Sequence, residues 1–150
     1  MSFLAWGMIL LVVNILLMAV SDGILKIKFA VYFGYACWLL ALLLWILAVV
    51  EMKRNGGIHK GGSYINTTRV VDTGIFSLLR HPQYLGYMLL NIGIILIVQN
   101  WMVAIAGILS AIFLYLGMKE EEHLLIEIFG DKYREYMTKV ARLNVFKGLF

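Results

Sequence analysis

Four long stretches without charge constrain the fold of this chain more than any other feature of its sequence. They cover residues 3–20, 29–50, 84–99 and 101–118. A membrane-spanning helix needs about 20 apolar residues, with a range of roughly 17 to 25. The third stretch reaches that length when its helix begins near Pro82. Hydrophobic residues make up 62% of the chain, above the level of soluble domains. The sequence therefore predicts an all-α fold, a polytopic membrane bundle of about four spans.

The first stretch lacks the marks of a cleaved signal peptide. No basic region precedes it and no small-residue cleavage site follows it, so we expect it to remain as a mature helix. Lysine and arginine collect between the second and third stretches and in the tail after Met118, and none lies at Gln99-Asn100. Because cytoplasmic loops are rich in these residues, we expect a multi-pass membrane protein with both termini in the cytoplasm.

The charge of the chain suits membrane lipids more than nucleic acid. The formal net charge is +4, which favours attraction to an anionic inner leaflet. No basic stripe with interleaved aromatic residues indicates nucleic-acid binding. The single Cys37 is expected to be a packing residue, and no cysteine–histidine cluster indicates a metal site.

The residues that could carry chemistry are concentrated in the second part of the chain. Residues 1–52 predict an N-terminal transmembrane hairpin. Residues 53–150 predict a functional core: a cytoplasmic loop, a hairpin over 82–118 and a C-terminal amphipathic helix. The loop contains GGIHKGG at 56–62, which does not match a phosphate-binding P-loop. In the tail, apolar residues recur at spacings of three and four, with Gly130 as the point where the helix would break; they are Leu125, Ile128, Phe129, Tyr133, Tyr136, Met137 and Val140.

Two polar clusters flank the last two stretches, RHPQY at 80–84 and EEE at 120–122. The short turn between these stretches makes their helices antiparallel neighbours, so the clusters are expected to meet and to pair their opposite charges. Pro82 suits the first turn of a helix and would hold His81 beside free N–H groups that favour a carboxylate. The alternative is structural: glutamates that only end a span and a histidine that only packs.

The ordered motifs RHPQYLG, EEHLL and FGDKYREY resemble the isoprenylcysteine carboxyl methyltransferase and phospholipid methyltransferase family of membrane enzymes. The shared pattern is R-H-P-x-Y-x-G, then E-E-x-x-L, then F-G-x-x-Y-x-x-Y, over residues 70 to about 140. FKG at 146–148 is similar to the isoprenylcysteine branch.

The resemblance implies a site for S-adenosylmethionine, with S-adenosylhomocysteine as the product. By that likeness Val70 and Val71 supply backbone contacts, and Phe76 stands where the family usually has tyrosine. Arg80 and Glu122 would be the catalytic residues, at the reaction centre. The remaining cofactor contacts implied in this way are His81, Pro82, Gln83, Tyr84 and Glu121.

The acceptor implied by the resemblance is less well defined than the cofactor. Family members often carry an arginine where this chain has Gly117, and Lys119 points about 160° away round a helix. We expect a lipophilic, isoprenylcysteine-like carboxylate that enters from the bilayer. A small thiol stays open, and so does a phospholipid amine, which would need Glu122 as a base. The rival classes are a nicotinamide-dependent membrane reductase and a non-catalytic membrane protein, and the oligomeric state is left open.

Overall fold

The structure is a computed structural model that describes residues 2–23, 25, 27–57 and 67–143. All regular secondary structure in these ranges is helical. The elements are α1 (Phe3–Val20), α2 (Lys28–Asn55), a 3₁₀ turn (Gly74–Ser77), α3 (Pro82–Val98), α4 (Trp101–Phe129) and α5 (Asp131–Lys139). Most of the glycine-rich loop and the FKG motif lie outside the described residues.

Three helices of the described chain, α1, α2 and α4, are long and apolar enough to cross a membrane. The fourth apolar helix, α3, begins at Pro82 and has 17 residues, which is at the lower limit for a span. This arrangement confirms a helical membrane bundle, and it confirms that Pro82 occupies the first turn of its helix.

The tail differs in one respect from the predicted C-terminal helix. Residues 119–129 continue α4 without a break, because lysine, glutamate and leucine favour helix and no glycine or proline interrupts them. The break comes at Gly130, as predicted, where φ is +60°. The separate C-terminal helix α5 is therefore short, with nine residues.

By its internal contacts the chain divides into two compact units that are each discontinuous in sequence. The first unit contains Met1–Leu42 and Tyr84–Glu120, and the second contains Leu43–Gln83 and Glu121–Phe150. The division into a hairpin over 1–52 and a functional core over 53–150 stays a prediction.

A buried polar network joins three helices of the first unit. Asn14 Nδ2 donates to Asn91 Oδ1 over 3.0 Å, and Asn91 Nδ2 donates to Ser110 Oγ over 3.1 Å. Ser110 Oγ in turn donates to the Gly7 carbonyl over 2.9 Å. Because a bilayer offers no water to these groups, pairing them inside the bundle stabilises the packing of α1, α3 and α4.

The second unit is built around the aromatic face of α5. Tyr133, Tyr136 and Val140 are buried together and pack against Val70, Leu125, Ile126, Phe129 and Met137. Most of the predicted apolar stripe is therefore confirmed as a core face, whereas Ile128 is 59% exposed. The Tyr136 hydroxyl donates to the Phe76 carbonyl over 2.6 Å. This bond attaches the 3₁₀ turn to α5. It thereby also holds the segment that connects the 3₁₀ turn with α3.

Candidate active site

The centre of the candidate site is the buried carboxylate of Glu122, which is 4% exposed. Arg80 Nη1 lies 3.1 Å and His81 Nε2 lies 3.2 Å from Glu122 Oε1. Arg142 Nε lies 3.0 Å from each of the two carboxylate oxygens. We call these four residues the charged cluster. The predicted meeting of the two polar motifs is thereby confirmed.

Three different parts of the second unit position the charged cluster. Glu122 lies on α4, beyond its apolar stretch, and His81 directly precedes the first turn of α3. Arg142 follows α5, in a segment whose Ala141 carbonyl accepts a hydrogen bond of 3.0 Å from the Arg80 backbone N–H. This backbone bond aligns the segment after α5 with the RHP motif, so that both arginines reach the same carboxylate.

The cluster holds more positive than negative charge in a poorly solvated place. The Arg80 and Glu122 side chains are 8% and 5% exposed, while the Arg142 side chain is 30% exposed. Two guanidinium groups contact one carboxylate in this cluster. Buried ions are costly unless each has a partner, so Glu122 stabilises the burial of Arg80.

Several buried N–H donors in and near the cluster have no acceptor within the part of the chain that the structure describes. Arg80 Nε, Arg80 Nη1 and Gln83 Nε2 are buried and have no hydrogen-bond partner among the described residues. Arg80 Nη1 is close to Glu122 but is not aligned for a hydrogen bond. Since nearly all buried donors in folded proteins are satisfied, these groups fit the acceptor atoms of a ligand.

Residues 29–132, most of the chain, match the model of the phospholipid methyltransferase family. The chain belongs to this family. Protein-S-isoprenylcysteine O-methyltransferase of Xenopus laevis is 29% identical over 123 residues, which are 75% of this chain and 43% of that protein. The protein of the same name in Saccharomyces cerevisiae is 34% identical over 121 residues, 70% of this chain and 47% of that protein.

A second kind of relative acts on a small thiol. Methanethiol S-methyltransferase 1 of Bradyrhizobium diazoefficiens is 32% identical over 92 residues, which are 57% of this chain and 29% of that protein. The chain spans less than half the length of each of these three curated relatives. No solved structure gives a significant match. The family membership confirms the resemblance carried by the three sequence motifs.

The other residues that the family likeness singled out lie in different surroundings. Phe76 and Pro82 are buried in the second unit, Val70 and Val71 are partly buried there, and Glu121 is partly exposed beside Glu122. Tyr84 belongs to the first unit, where its ring lies 6.4 Å from that of Tyr87 in an edge-to-face contact. The charged cluster thus contains Arg80, His81 and Glu122 of the predicted set, and the roles of the whole set stay predictions.

Arg142 is the member of the charged cluster that the sequence analysis missed. It belongs to none of the three motifs and follows Val140, the last residue of the apolar stripe. The one available signal was a lone arginine two residues after that stripe, which by itself predicts no partner.

Gly117 lies at the position where family members often carry an arginine, and Lys119 lies two residues further along α4. A Cβ atom at Gly117 would lie 2.6 Å from the backbone nitrogen of Leu4, so α1 occupies the space that a side chain would need. The ammonium group of Lys119 lies 5.2 Å from the centre of the Tyr115 ring, where a cation–π contact stabilises it. Both residues are in the first unit.

A cavity in the second unit lies beside α5 and has a volume of about 710 Å³. That volume is typical of small-molecule sites. It is lined by cationic and anionic side chains, among them Arg69, Lys132 and Glu135, and by the predicted cofactor contact Val70. It shares no residue with the charged cluster, and we assign the candidate site by the cluster because the unsatisfied donors are there.

Two tyrosines of α5 complete the surroundings. Burial raises the pKa of Tyr133 and of Tyr136 above the ordinary value of 10.0, and the nearby Glu122 carboxylate raises that of Tyr133 further. Both hydroxyls therefore stay protonated at neutral pH, and Tyr136 remains the donor in its bond to Phe76.

Proposed function

We propose that this protein transfers a methyl group from S-adenosylmethionine to a lipophilic acceptor that carries an isoprenylcysteine-like carboxylate. The family membership and the curated relatives support methyl transfer. The choice among acceptors rests on one observation: the Glu122 carboxylate is in contact with Arg80, His81 and Arg142.

An amine acceptor would need a base to remove its proton, and Glu122 is the candidate. Glu122 is the one acidic side chain that is buried in the described part of the chain. Taking up a proton would cancel its attraction to two arginines in a place where water cannot replace that attraction. A carboxylate acceptor is already an anion and needs no base. The charged cluster therefore favours a carboxylate over a phospholipid amine.

S-adenosylmethionine would supply a methyl group on a sulfonium sulfur: an acceptor oxygen forms the bond to the methyl carbon as the carbon–sulfur bond breaks, and the electron pair stays on sulfur. No proton moves in this step. The work left to the protein is to align the two reactants and to exclude water. Residues from the segment between α2 and α3 (the middle segment), from the start of α3 and from α4 would align the reactants and exclude water.

The residues fit such a ligand because they offer both signs of charge. Glu121 would hold the ammonium group or the ribose hydroxyls, and the N–H groups at the start of α3 suit a carboxylate. His81, Pro82, Gln83 and Tyr84, together with Val70, Val71 and Phe76, would line the cofactor pocket. The acceptor would enter from the bilayer, and the water-soluble cofactor would enter from the cytoplasm.

A small thiol is the second candidate acceptor. The methanethiol S-methyltransferase of Bradyrhizobium diazoefficiens, 32% identical, supports it. A thiol that ionises in solution before it binds is also an anion, and its thiolate needs no proton transfer to Glu122.

The first experiment is calorimetric titration of the detergent-purified protein with S-adenosylhomocysteine and, separately, with NADPH. We expect the former alone to bind. Methyl transfer is then measured to an S-farnesylcysteine derivative, to phosphatidylethanolamine and to methanethiol, with the methyl ester of the farnesylated carboxylate as the expected product. Binding of NADPH alone to folded protein would establish the reductase class, and binding of neither would favour a non-catalytic protein.

A further inference from the structure

The 3₁₀ turn before the RHP motif is attached to α2 by three polar side chains. Glu51 Oε1 accepts one hydrogen bond of 2.5 Å from Thr73 Oγ1 and another of 2.5 Å from Asn55 Nδ2. Asn55 Nδ2 also donates to Thr73 Oγ1 over 3.1 Å. Glu51 and Asn55 are four residues apart at the end of α2, so they share a face of the helix. We call these three residues the α2 anchor.

Two features of the turn fit it closely to the Glu51 carboxylate. Thr73 is the N-cap residue of the turn, yet its side chain makes no capping bond to the backbone, which is the usual role of threonine at that position. Its hydroxyl donates to Glu51 instead. Gly74 has a φ of +55°, and a Cβ atom there would lie 2.5 Å from Glu51 Oε2. The carboxylate therefore occupies the place where any other residue would carry its side chain.

The turn and the residues after it are also attached to α5 and to the segment that follows α5. The Phe76 carbonyl accepts a bond of 2.6 Å from the Tyr136 hydroxyl. The Arg80 backbone N–H donates to the Ala141 carbonyl over 3.0 Å. Residues 73–80 are therefore held from two sides, and the α2 anchor is the attachment at their N-terminal end.

The placement of Arg80 depends on how firmly these residues are held. Arg80 Nη1 lies 3.1 Å from Glu122 Oε1, and the Arg80 side chain is 8% exposed. A buried ion needs its partner at close range, and a displacement of about 1 Å far from the reacting atoms can slow an enzyme about a hundredfold. A turn released at Thr73 would transmit its movement along the short segment to Arg80.

We propose that the α2 anchor, with Glu51 as its centre, positions the 3₁₀ turn and through it Arg80. Glu51 is in this sense a positioning residue that acts through Thr73 and Gly74. The inference rests on the proposed methyl transfer for the ligand that the positioned residues bind. The attachment of the turn can be tested without any ligand.

The test removes one hydroxyl from the anchor. Thr73→Val eliminates the bond to Glu51 at similar side-chain size, and Thr73→Ser retains it. Thr73 is exposed, so neither change opens a cavity in the core. Thr138→Val is the matched control, because the Thr138 hydroxyl donates to the Glu135 carbonyl over 2.7 Å on an exposed part of α5.

Two readouts are taken on the full chain in detergent, well below the melting temperature of every variant. Hydrogen exchange followed by mass spectrometry measures how firmly residues 74–80 are held, and calorimetric titration measures affinity for S-adenosylhomocysteine. We expect Thr73→Val to accelerate exchange across these residues and to lower the affinity about fivefold, a change typical of one lost hydrogen bond. Thr73→Ser should restore both values, and Thr138→Val should match the wild type.

Unchanged exchange in Thr73→Val would overturn the inference, because the turn would then be held without Glu51. Faster exchange with unchanged affinity would also overturn it, since the anchor would then stabilise the turn without positioning the site. A folded wild type that binds no S-adenosylhomocysteine contradicts the proposed function, and the exchange rates alone then support or overturn the attachment. If Thr73→Val does not fold, Asn55→Ala, which removes the other bond to Glu51, is measured in the same way.

Discussion

At the scale of single residues, two neighbouring glutamates illustrate how burial separates functions. Glu122 is 4% exposed and contacts three positively charged or donor side chains. Glu121 is the next residue of the same helix and is partly exposed. Successive side chains of a helix point about 100° apart around its axis, so Glu121 lies outside the buried cluster. The Glu121 carboxylate is therefore more solvated than the Glu122 carboxylate.

Glu122→Gln should therefore destabilise the protein by about 3 kcal/mol, because it leaves two arginines near each other without a counterion. Glu121→Gln should weaken binding of S-adenosylhomocysteine and leave the melting temperature nearly unchanged. Thermal melting in detergent and calorimetric titration of both variants measure these effects. Equal losses of stability in the two variants would contradict the assignment of different roles.

Gly117→Arg restores the residue that the family often carries at this position, yet we expect it to destabilise the fold. Its Cβ atom would lie 2.6 Å from Leu4 N, and backbone atoms cannot move away as a flexible side chain can. The same steric conflict should make Gly117→Ala less stable, and the melting temperatures of both variants measure it. A stable Gly117→Arg variant with raised methyl transfer would show that α1 yields and that the arginine is compatible with this chain.

At the scale of elements, the short helix α5 supports the segment that brings Arg142 to the site. Its buried tyrosines pack against Leu125 and Phe129 of α4 and against Val70 of the middle segment. Val140 caps the end of α5 and is followed by Ala141 and Arg142. Loss of α5 packing would therefore release the segment that supplies one cation of the charged cluster.

Tyr136→Phe removes the bond from the Tyr136 hydroxyl to the Phe76 carbonyl and should cost about 1–2 kcal/mol of stability, because the carbonyl then has no partner. Burial raises the pKa of Tyr136 above 10.0, so the hydroxyl's contribution is complete below that pH and falls as the pH rises through the raised pKa.

Denaturation of wild type and Tyr136→Phe at several pH values measures this difference. It should stay constant between about pH 6 and about pH 9 and shrink in more alkaline solution. Tyr133→Phe is the control, since the Tyr133 hydroxyl donates to no described residue. A larger loss of stability in Tyr133→Phe than in Tyr136→Phe would refute the assigned role of the Phe76 bond.

At the scale of the whole molecule, the distribution of lysine and arginine predicts the orientation in the membrane. The middle segment and the tail are basic, and the turn at Gln99-Asn100 is not. With four spans, both ends of this chain should face the cytoplasm. Reporter fusions to each end measure this, and ends on opposite sides would exclude an even number of spans and with it a membrane-spanning α3.

The sequence alone determined the helices and the place of the polar motifs. The charge-free stretches predicted α1 to within a residue, and Pro82 predicted the start of α3, because chain length across a bilayer and proline geometry are local constraints. The short turn between α3 and α4 was enough to predict that Arg80 and the glutamates would meet. The family motifs carried the cofactor hypothesis, which no geometric reasoning from spacing could have supplied.

The tertiary structure decided which charged side chains are buried and which side chains they pair with. It selected Glu122 over Glu121 as the centre of the cluster, and it brought in Arg142 through the backbone bond between Arg80 and Ala141. It also linked Asn14 to Asn91 across 77 positions of sequence and placed α1 against Gly117. These pairings depend on how helices distant in sequence pack, and no local pattern of residue types encodes that.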